Sequence, residues 1–328
     1  MLVSLPLPGS SGSFGTIARN AGAILNSGFE FAATVHHNIG DLNIRFTASL
    51  ATLHNEVLDI YGGNAITAGA VEFGNATRTE KGHPIGAFYG YKTLGVFPDQ
   101  AVIDAYTFTS STGVVSMIQP GAKPGDIKFA DLGSANGGAP DGKIDANDRY
   151  YMGSPIPDLT YSFNLNLDYK GFDLSVFLQG VQGNEIYAEL VCWTQGMHNN
   201  FNVSTAALDR WTTPGQITNV PRAVRNDPNG NISKISDRYI KDGSYFRLKN
   251  ISLGYTIPKK LGNTLHISNL RVYVTGRNLI TFTKYPFYDP EIGSNAINTL
   301  GTVNTSRGID NGYYPQPRTI ITGIQVDF

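Results

Sequence analysis

Apolar and polar residues alternate with a period of two along much of the chain. Residues 161–170 are the clearest case, because every odd position is apolar or aromatic and every even position is polar. This spacing places the two sets on opposite faces of an extended strand. After Lys170 and Gly171 the alternation resumes at Phe172 and continues to Gln179. The pattern therefore predicts a β-hairpin with a tight connection.

The same alternation predicts seven strands, near residues 29–37, 41–53, 158–170, 171–182, 244–257, 268–283 and 318–328. A strand of about 9–11 residues can cross a bilayer and is longer than the usual strand of a soluble protein. The polar faces are rich in Asn, Ser, Asp and Arg, which suits a water-filled interior. A soluble antiparallel sheet alternates too, but strand length and polar faces favour an all-β fold that forms a portion of an antiparallel transmembrane β-barrel.

The connections between these strands differ in length. Those at 37–41, at Lys170-Gly171 and at 258–268 are short, whereas 54–157, 183–243 and 284–317 are long and rich in Gly, Asn, Asp and Pro. Short turns at one end and long loops at the other are typical of outer-membrane barrels, with the long loops outside the cell. Closed bacterial barrels have an even number of strands, so an odd count predicts a fragment.

Composition excludes several other classes. Lys+Arg is 25 against Asp+Glu 26, so nothing indicates a nucleic-acid partner. The single cysteine, Cys192, excludes an intramolecular disulfide and a multi-cysteine metal site. The first residues lack the basic start and apolar core of a signal peptide. An outer-membrane protein must be exported, and we therefore expect this chain to be an internal fragment.

Several segments resemble the C-terminal barrel of SusC/RagA-family TonB-dependent transporters. They are NSGFEF (26–31), TRTEKGHPIGAFYGYKTLGVF (77–97), GDIKFADL (125–132), DGKIDANDR (141–149), SYFRLKNISLGYTIP (244–258), RVYVTGRNLITFTKY (271–285), YDPEIG (288–293) and YYPQPRT (313–319). The resemblance implies that residues 1–328 are the C-terminal part of a barrel of about twenty-two strands, without its plug domain. It places the protein in the bacterial outer membrane.

The resemblance also implies a function and partners. A SusD-like surface lipoprotein would cap the long loops, TonB would act through a missing N-terminal region, and the substrate would be an oligosaccharide or a peptide. Import would proceed by binding and gated passage, so we assign no catalytic residue. Two alternatives remain: a truncated remnant that does not transport, and a soluble carbohydrate-binding β-protein.

The last residue, Phe328, follows apolar residues at alternate positions. A terminal strand of this kind resembles the signal that the outer-membrane assembly machinery reads. The alternative is that Phe328 only ends an edge strand.

Residues 131–148 carry closely spaced carboxylates. Members of the family often have an EF-hand-like calcium loop here, and this chain keeps Asp141, Gly142, Asp145 and Asp148. Two earlier ligand positions hold Ala139 and Gly137, and an insertion separates Asp131 from the rest. Asp131 or Asn136 could fold back to complete a Ca²⁺ site; otherwise the segment is an acidic loop without an ion. No other cofactor is expected.

Four aromatic residues of the second long loop, Trp193, Trp211, Tyr187 and Phe201, are candidate contacts for a ligand or a partner. Aromatic faces stack on sugar rings, but the same residues could simply pack the long loops together. Charged residues on the polar strand faces are also candidates for a substrate path, or for salt bridges that stiffen the wall. They are Arg45, Asp168, Asp173, Arg271 and Arg277.

Overall fold

The computed structural model describes residues 2–6, 12, 16–20, 22–60, 62–133, 138–198, 200–258, 269–293 and 303–327. The first strands in chain order are β1 Leu2–Pro6, β2 Thr16–Asn20, β3 Gly22–Ser27, β4 Glu30–Ile39, β5 Leu42–Thr52, β6 His54–Ile60, β7 Ile66–Val71, β8 Gly74–Thr79, β9 Ala87–Tyr91, β10 Thr93–Val96 and β11 Thr107–Thr109. The rest are β12 Val115–Met117, β13 Ile127–Phe129, β14 Arg149–Gly153, β15 Leu159–Tyr169, β16 Phe172–Gln182, β17 Glu185–Ala188, β18 Ile240–Asp242, β19 Tyr245–Thr256, β20 Asn269–Thr283, β21 Ile309–Asp310 and β22 Thr319–Asp327.

Helical structure is sparse in the described part of the chain. It consists of α1 Gln100–Asp104, α2 Leu190–Gln195 and short 3-10 turns at Ala146–Asp148, Thr205–Asp209, Asp237–Tyr239 and Val303–Thr305. The predicted all-β class is confirmed. No helix among the described residues is long and apolar enough to cross a membrane.

One antiparallel sheet contains all seven strands that the alternation predicts. Its order is β22-β20-β19-β16-β15-β5-β4, so its seven strands lie side by side in the order in which they occur along the chain. The predicted hairpin turn is present, with Tyr169 opposite Phe172. Lys170 and Gly171 have φ of 47° and 90°, and two positive φ values are what a two-residue turn of type I′ requires. Within the described residues, β22 and β4 are the outer strands and the sheet does not close.

The two faces of this sheet differ in polarity from edge to edge. One cross-strand row on the first face is Val35, Phe46, Leu165, Val176 and Ile251. The adjacent row on the second face is His36, Arg45, Asn166, Ser175 and Ser252. The apolar face is uncovered toward the edges, where Phe31 is 63% and Ile320 is 73% exposed. Apolar side chains that stay uncovered along a whole sheet need a nonaqueous neighbour.

The three long connections fold together at one end of the sheet. We call the described residues of 54–157, 183–243 and 284–317 the loop assembly. It contains the sheet β14-β9-β8-β7 and the sheet β18-β17-β21, in which β17 and β21 are parallel. Its largest core consists of Ala76, Phe88, Ile186, Tyr187, Ala188, Val191, Cys192, Ile232, Tyr239, Tyr285 and Ile309. All three connections contribute to that core. Their placement outside the cell stays a prediction.

Hydrogen bonds join distant parts of the loop assembly. The backbone N–H of Gly69 donates to Ser306 Oγ at 3.1 Å, 237 positions later in the chain. Thr77 Oγ1 donates to the carbonyl of Thr305 at 2.6 Å. The first and third long connections are therefore locked to each other inside the core.

Candidate functional site

A buried arginine connects the main sheet to the loop assembly. Arg247 of β19 lies on the polar face and is 2% exposed. Its Nη2 donates to Asp289 Oδ1 at 2.6 Å, its Nη1 to Glu291 Oε2 at 2.9 Å and its Nε to Thr281 Oγ1 at 2.9 Å. Asp289 and Glu291 belong to the loop that follows β20. A buried guanidinium requires such partners, because an unpaired charge is costly to bury.

The same junction receives a third segment. The pairing of β19 with β20 shifts register between Leu248 and Asn250, and Lys249 at that bulge donates to Glu291 at 2.7 Å. The backbone N–H of Gln316 donates to Asp289 Oδ2 at 3.0 Å. Burial raises the pKa of Asp289, but the bonds from Arg247 and from two backbone N–H groups outweigh it, so the pKa is lowered. Three segments that carry the family resemblance thus meet at one carboxylate.

A second ion pair crosses the polar face of the sheet. Arg271 of β20 binds Asp173 of β16 with Nε–Oδ1 at 2.9 Å and Nη2–Oδ2 at 2.5 Å. The strand between them presents Gly254, where a Cβ would collide with Asp173 Oδ1 and would lie 2.5 Å from Arg271 Nη2. The glycine leaves the space that this pair occupies. Of the five charged candidates on this face, Asp173 and Arg271 bond to each other. The remaining three, Arg45, Asp168 and Arg277, lie on the same face.

A buried carboxylate joins the second long connection to the first. Asp126 is fully buried and accepts hydrogen bonds from Arg222 Nε at 2.7 Å and from Asn231 Nδ2 at 2.9 Å. Asn229 Nδ2 also donates to it. These bonds hold residues of 183–243 against β13, about a hundred positions earlier in sequence.

The four candidate aromatic residues do not form one site. Tyr187 is 3% exposed and packs in the core between Phe88 and Tyr239, with ring centroids 6.2 and 5.2 Å away. Its side chain is part of the main core. Trp193 lies edge-to-face against the exposed Phe201 at 5.4 Å. These two form a surface pair.

Trp211 lies elsewhere. Its Nε1 donates to the carbonyl of Pro98 at 3.0 Å, and its backbone N–H donates to the carbonyl of Val220. These bonds tie two loops together. The role of the aromatic residues in ligand or partner contact stays a prediction.

The acidic loop is held by hydrogen bonds to its own backbone. Asp131 folds back, and its Oδ2 accepts from the N–H of Gly142 at 2.7 Å. Asp148 accepts from the N–H groups of Leu132 at 2.8 Å and Asp145 at 2.6 Å. Burial raises the pKa of Asp131, and the neighbouring carboxylates raise it further. The bonds from the N–H groups of Gly142 and Asp141 oppose this shift only in part.

Lys143 lies between two other carboxylates of the loop, with its Nζ 2.8 Å from Asp145 and 3.4 Å from Asp141. Within the described part of the chain, no three acidic, histidine or cysteine side chains converge in an arrangement that could hold a metal ion. Asn136 and Phe328 lie outside the described residues. Calcium binding and the assembly signal stay predictions.

Several central residues were not found from the sequence. Arg247, Asp289 and Asp126 look like ordinary polar residues of a strand or loop in the sequence. One signal was available for Arg247, since a charged residue at the start of a strand that enters a core needs a counter-ion. Its partner cannot be read from local sequence, because Asp289 lies 42 positions away.

The fold defines the class of protein. An antiparallel sheet with one uncovered apolar face, one polar face, tight turns at one end and large connections at the other is typical of the wall of a transmembrane β-barrel. No family model matches the chain. The relatives and the solved structures that resemble the chain agree with this class.

The relatives are TonB-dependent receptors. The chain is 32% identical over 332 residues to a TonB-dependent receptor of Formosa agariphila, covering all of this chain and 31% of that relative. It is 26% identical to the TonB-dependent receptor SusC of Bacteroides thetaiotaomicron, covering 29% of it. The chain therefore spans about a third of the length of its curated relatives, and over that span it is related to TonB-dependent receptors that include SusC. The predicted resemblance is confirmed.

Solved structures show the same fold. The RagAB peptide transporter matches with a TM-score of 0.73 and 23% identity, over all of this chain and 32% of the matched chain. The RagAB peptide importer in its open-open state matches with a TM-score of 0.70 and 21% identity.

Proposed function

We propose that this chain forms part of the wall and outer loops of a TonB-dependent importer in the bacterial outer membrane. The observation that carries the proposal is the seven-stranded sheet, whose apolar face is uncovered and whose opposite face is polar. In a barrel the first face contacts lipid and the second lines water. The relationship to TonB-dependent receptors supports the same function.

Transport would consist of binding and gated passage, with no covalent chemistry. The Arg271–Asp173 pair and the Arg247 junction stiffen the wall, while the loop assembly provides a rigid receptor surface at one end. The substrate class is an oligosaccharide or a peptide. The RagAB peptide transporter, which has the same fold, supports a peptide, and the sequence resemblance implies an oligosaccharide as the alternative.

The proposal includes three partners. A SusD-like lipoprotein would cover the loop assembly, TonB would act through a region outside this chain, and the assembly machinery would recognise the strand that ends at Phe328. Exposed apolar side chains on the loop assembly support a covering partner. Leu208 is 74%, Ile217 is 88% and Tyr314 is 90% exposed.

Outer-membrane fractionation tests the proposal. An antibody against β22 should detect, in the outer-membrane fraction, a band much larger than this chain alone that migrates differently before and after boiling. A band of the size of this chain, absent from the membrane, would instead identify a truncated remnant.

Cysteine labelling tests the orientation. The native Cys192 is buried, and burial raises its pKa to about 12. We therefore expect Cys192 not to react with the maleimide that labels the introduced cysteines. Ile217→Cys in the loop assembly should react with a membrane-impermeant maleimide in intact cells. Asp41→Cys in the turn between β4 and β5 should react only after lysis. Labelling of Asp41→Cys in intact cells would contradict the orientation.

A further inference from the structure

An open cleft of about 730 Å³ lies in the loop assembly. The helix α2 forms one side through Leu190 and Val191, and Phe287 from the loop after β20 forms another. Arg238 and Lys241 also line the cleft, beside the polar side chains of Thr194, Gln195, Ser204, Thr205 and Asn219. The cleft therefore combines an apolar surface with two cationic side chains that lie three positions apart.

Neither cation has a carboxylate partner within salt-bridge distance in the described part of the chain. Arg238 Nη2 donates to Gln195 Oε1 at 3.2 Å, and its Nη1 is buried without a hydrogen-bond partner among the described residues. Lys241 Nζ donates to the backbone carbonyl of Arg238 at 2.8 Å. The two positive charges of the cleft are therefore bonded to an amide oxygen and a backbone carbonyl, and not to a carboxylate.

The nearby acidic residue is already engaged. Asp237 Oδ1 accepts from the Thr93 hydroxyl at 2.6 Å and from the Thr93 N–H at 3.0 Å, and its Oδ2 accepts from Tyr150 at 3.0 Å. Burial first, and then the Arg238 charge, lower the pKa of Lys241, and Asp237 offsets this only in part. Burial also lowers the pKa of Arg238. Two like charges are therefore held together at a cost that an anion would relieve.

We propose that this cleft binds an acidic peptide, with a peptide carboxylate between Arg238 and Lys241 and a neighbouring apolar side chain against Leu190 and Phe287. The inference rests on the proposed function and names the substrate class for it. Charge-assisted hydrogen bonds from arginine to a carboxylate are among the strongest in proteins.

The lining favours a peptide over an acidic oligosaccharide. Beside the two cations it presents aliphatic groups of Leu190, Val191, Val220 and Pro286. Aliphatic surface gains by covering an apolar side chain, which a peptide supplies and a sugar ring does not. The polar lining residues Thr194, Gln195, Ser204, Thr205 and Asn219 can bond to the backbone of such a peptide.

The test uses the native outer-membrane protein that contains this chain, purified in detergent. The probe is a fluorescein-labelled hexapeptide that alternates leucine and glutamate, and anisotropy reports its binding. The matched probe has glutamine in place of glutamate. We expect the acidic peptide to bind about tenfold more tightly than the glutamine peptide, or more, because charged hydrogen bonds are lost with the exchange.

The double variant Arg238→Gln and Lys241→Met should remove that preference and bind both peptides equally. Arg225→Gln removes an exposed arginine of the same long connection and should leave the preference intact. Heat-dependent migration on gels verifies that each variant is folded. The comparison of the two peptides on the unmodified protein needs no variant, so a misfolded double variant does not leave the proposal untested.

Three outcomes overturn the proposal. They are equal affinity of the unmodified protein for both peptides, an unchanged preference in a folded double variant, and binding of an oligogalacturonate through Arg238 and Lys241 that the acidic peptide does not displace. The last outcome would make an acidic sugar the occupant. If the peptide test fails while membrane location and cysteine labelling are as expected, the peptide-binding proposal for this cleft is refuted and the importer proposal is unaffected.

Discussion

Arg247 and Asp289 are joined by a hydrogen bond of 2.6 Å between Nη2 and Oδ1 that links a strand of the main sheet to the loop assembly. Their side chains are 2% and 8% exposed. Because the pair is almost fully buried, water does not screen it and cannot replace either partner. The junction between wall and loops therefore depends on both charges.

Arg247→Met should destabilise the protein strongly. It leaves Asp289 buried without its cation, and breaking a buried pair in this way costs about 3–5 kcal/mol. Lys249→Met is the matched control, because Glu291 keeps its bond to Arg247 and a partly exposed pair contributes about 1 kcal/mol or less. The measurement is the temperature at which the unboiled gel band of the purified protein is lost. Equal loss in both variants would contradict this account.

The junction should also respond to acid. The pKa of Asp289 is lowered in the folded protein, so its contribution to stability is present above the ordinary aspartate pKa of about 4 and is lost as the pH falls through the lowered value. Protease resistance of the loop after β20 should be constant from about pH 5 to 7 and should fall only below about pH 4. Asp289→Asn should remove this acid step. A loss of resistance near neutral pH would assign the transition to another group.

Gly254→Val should weaken the polar face of the sheet. The new side chain would occupy the space of the Arg271–Asp173 pair, since a Cβ at position 254 would lie within 2.5 Å of both partners, and separation of a partly buried charged pair costs about 1–3 kcal/mol. Gly293→Ala is the control, since a Cβ at that position meets nothing within 4 Å. Thermal loss of the folded gel band compares the two. A Gly254→Val protein as stable as Gly293→Ala would show that the pair contributes little.

Asp126→Asn should loosen the loop assembly and spare the main sheet. It removes the counter-charge of Arg222 and sets a new amide against the donors of Asn229 and Asn231, at about 2–3 kcal/mol. We expect faster proteolysis within 183–243. The difference in gel migration before and after boiling, which reports on the folded sheet, should not change. Asp59→Asn, at an exposed position of β6, should change neither property.

The strands could be predicted because alternation reports directly on a sheet with two different faces. The pattern at 158–170 corresponds to Leu159–Tyr169, and that at 171–182 corresponds to Phe172–Gln182. One-sided polarity is a local property of each strand. It can therefore be recognised in the sequence even when the neighbouring strands are unknown.

The interior of the long connections could not be predicted in this way. Their contacts join residues that are far apart in sequence, such as Asp126 with Arg222, 96 positions later. No periodic pattern marks such pairs. Trp193, Trp211 and Tyr187 are all aromatic residues of one connection, yet only Tyr187 belongs to the main core. Residue type alone does not separate a core position from a surface one.

The bond from Gly69 to Ser306 has a consequence for how the protein is made. Contacts between distant positions form slowly, because a long loop must close before they contribute. The core that contains Phe88 of the first long connection and Ile309 of the third cannot be completed until these two connections have met. Completion of this end of the protein is therefore a late step of folding.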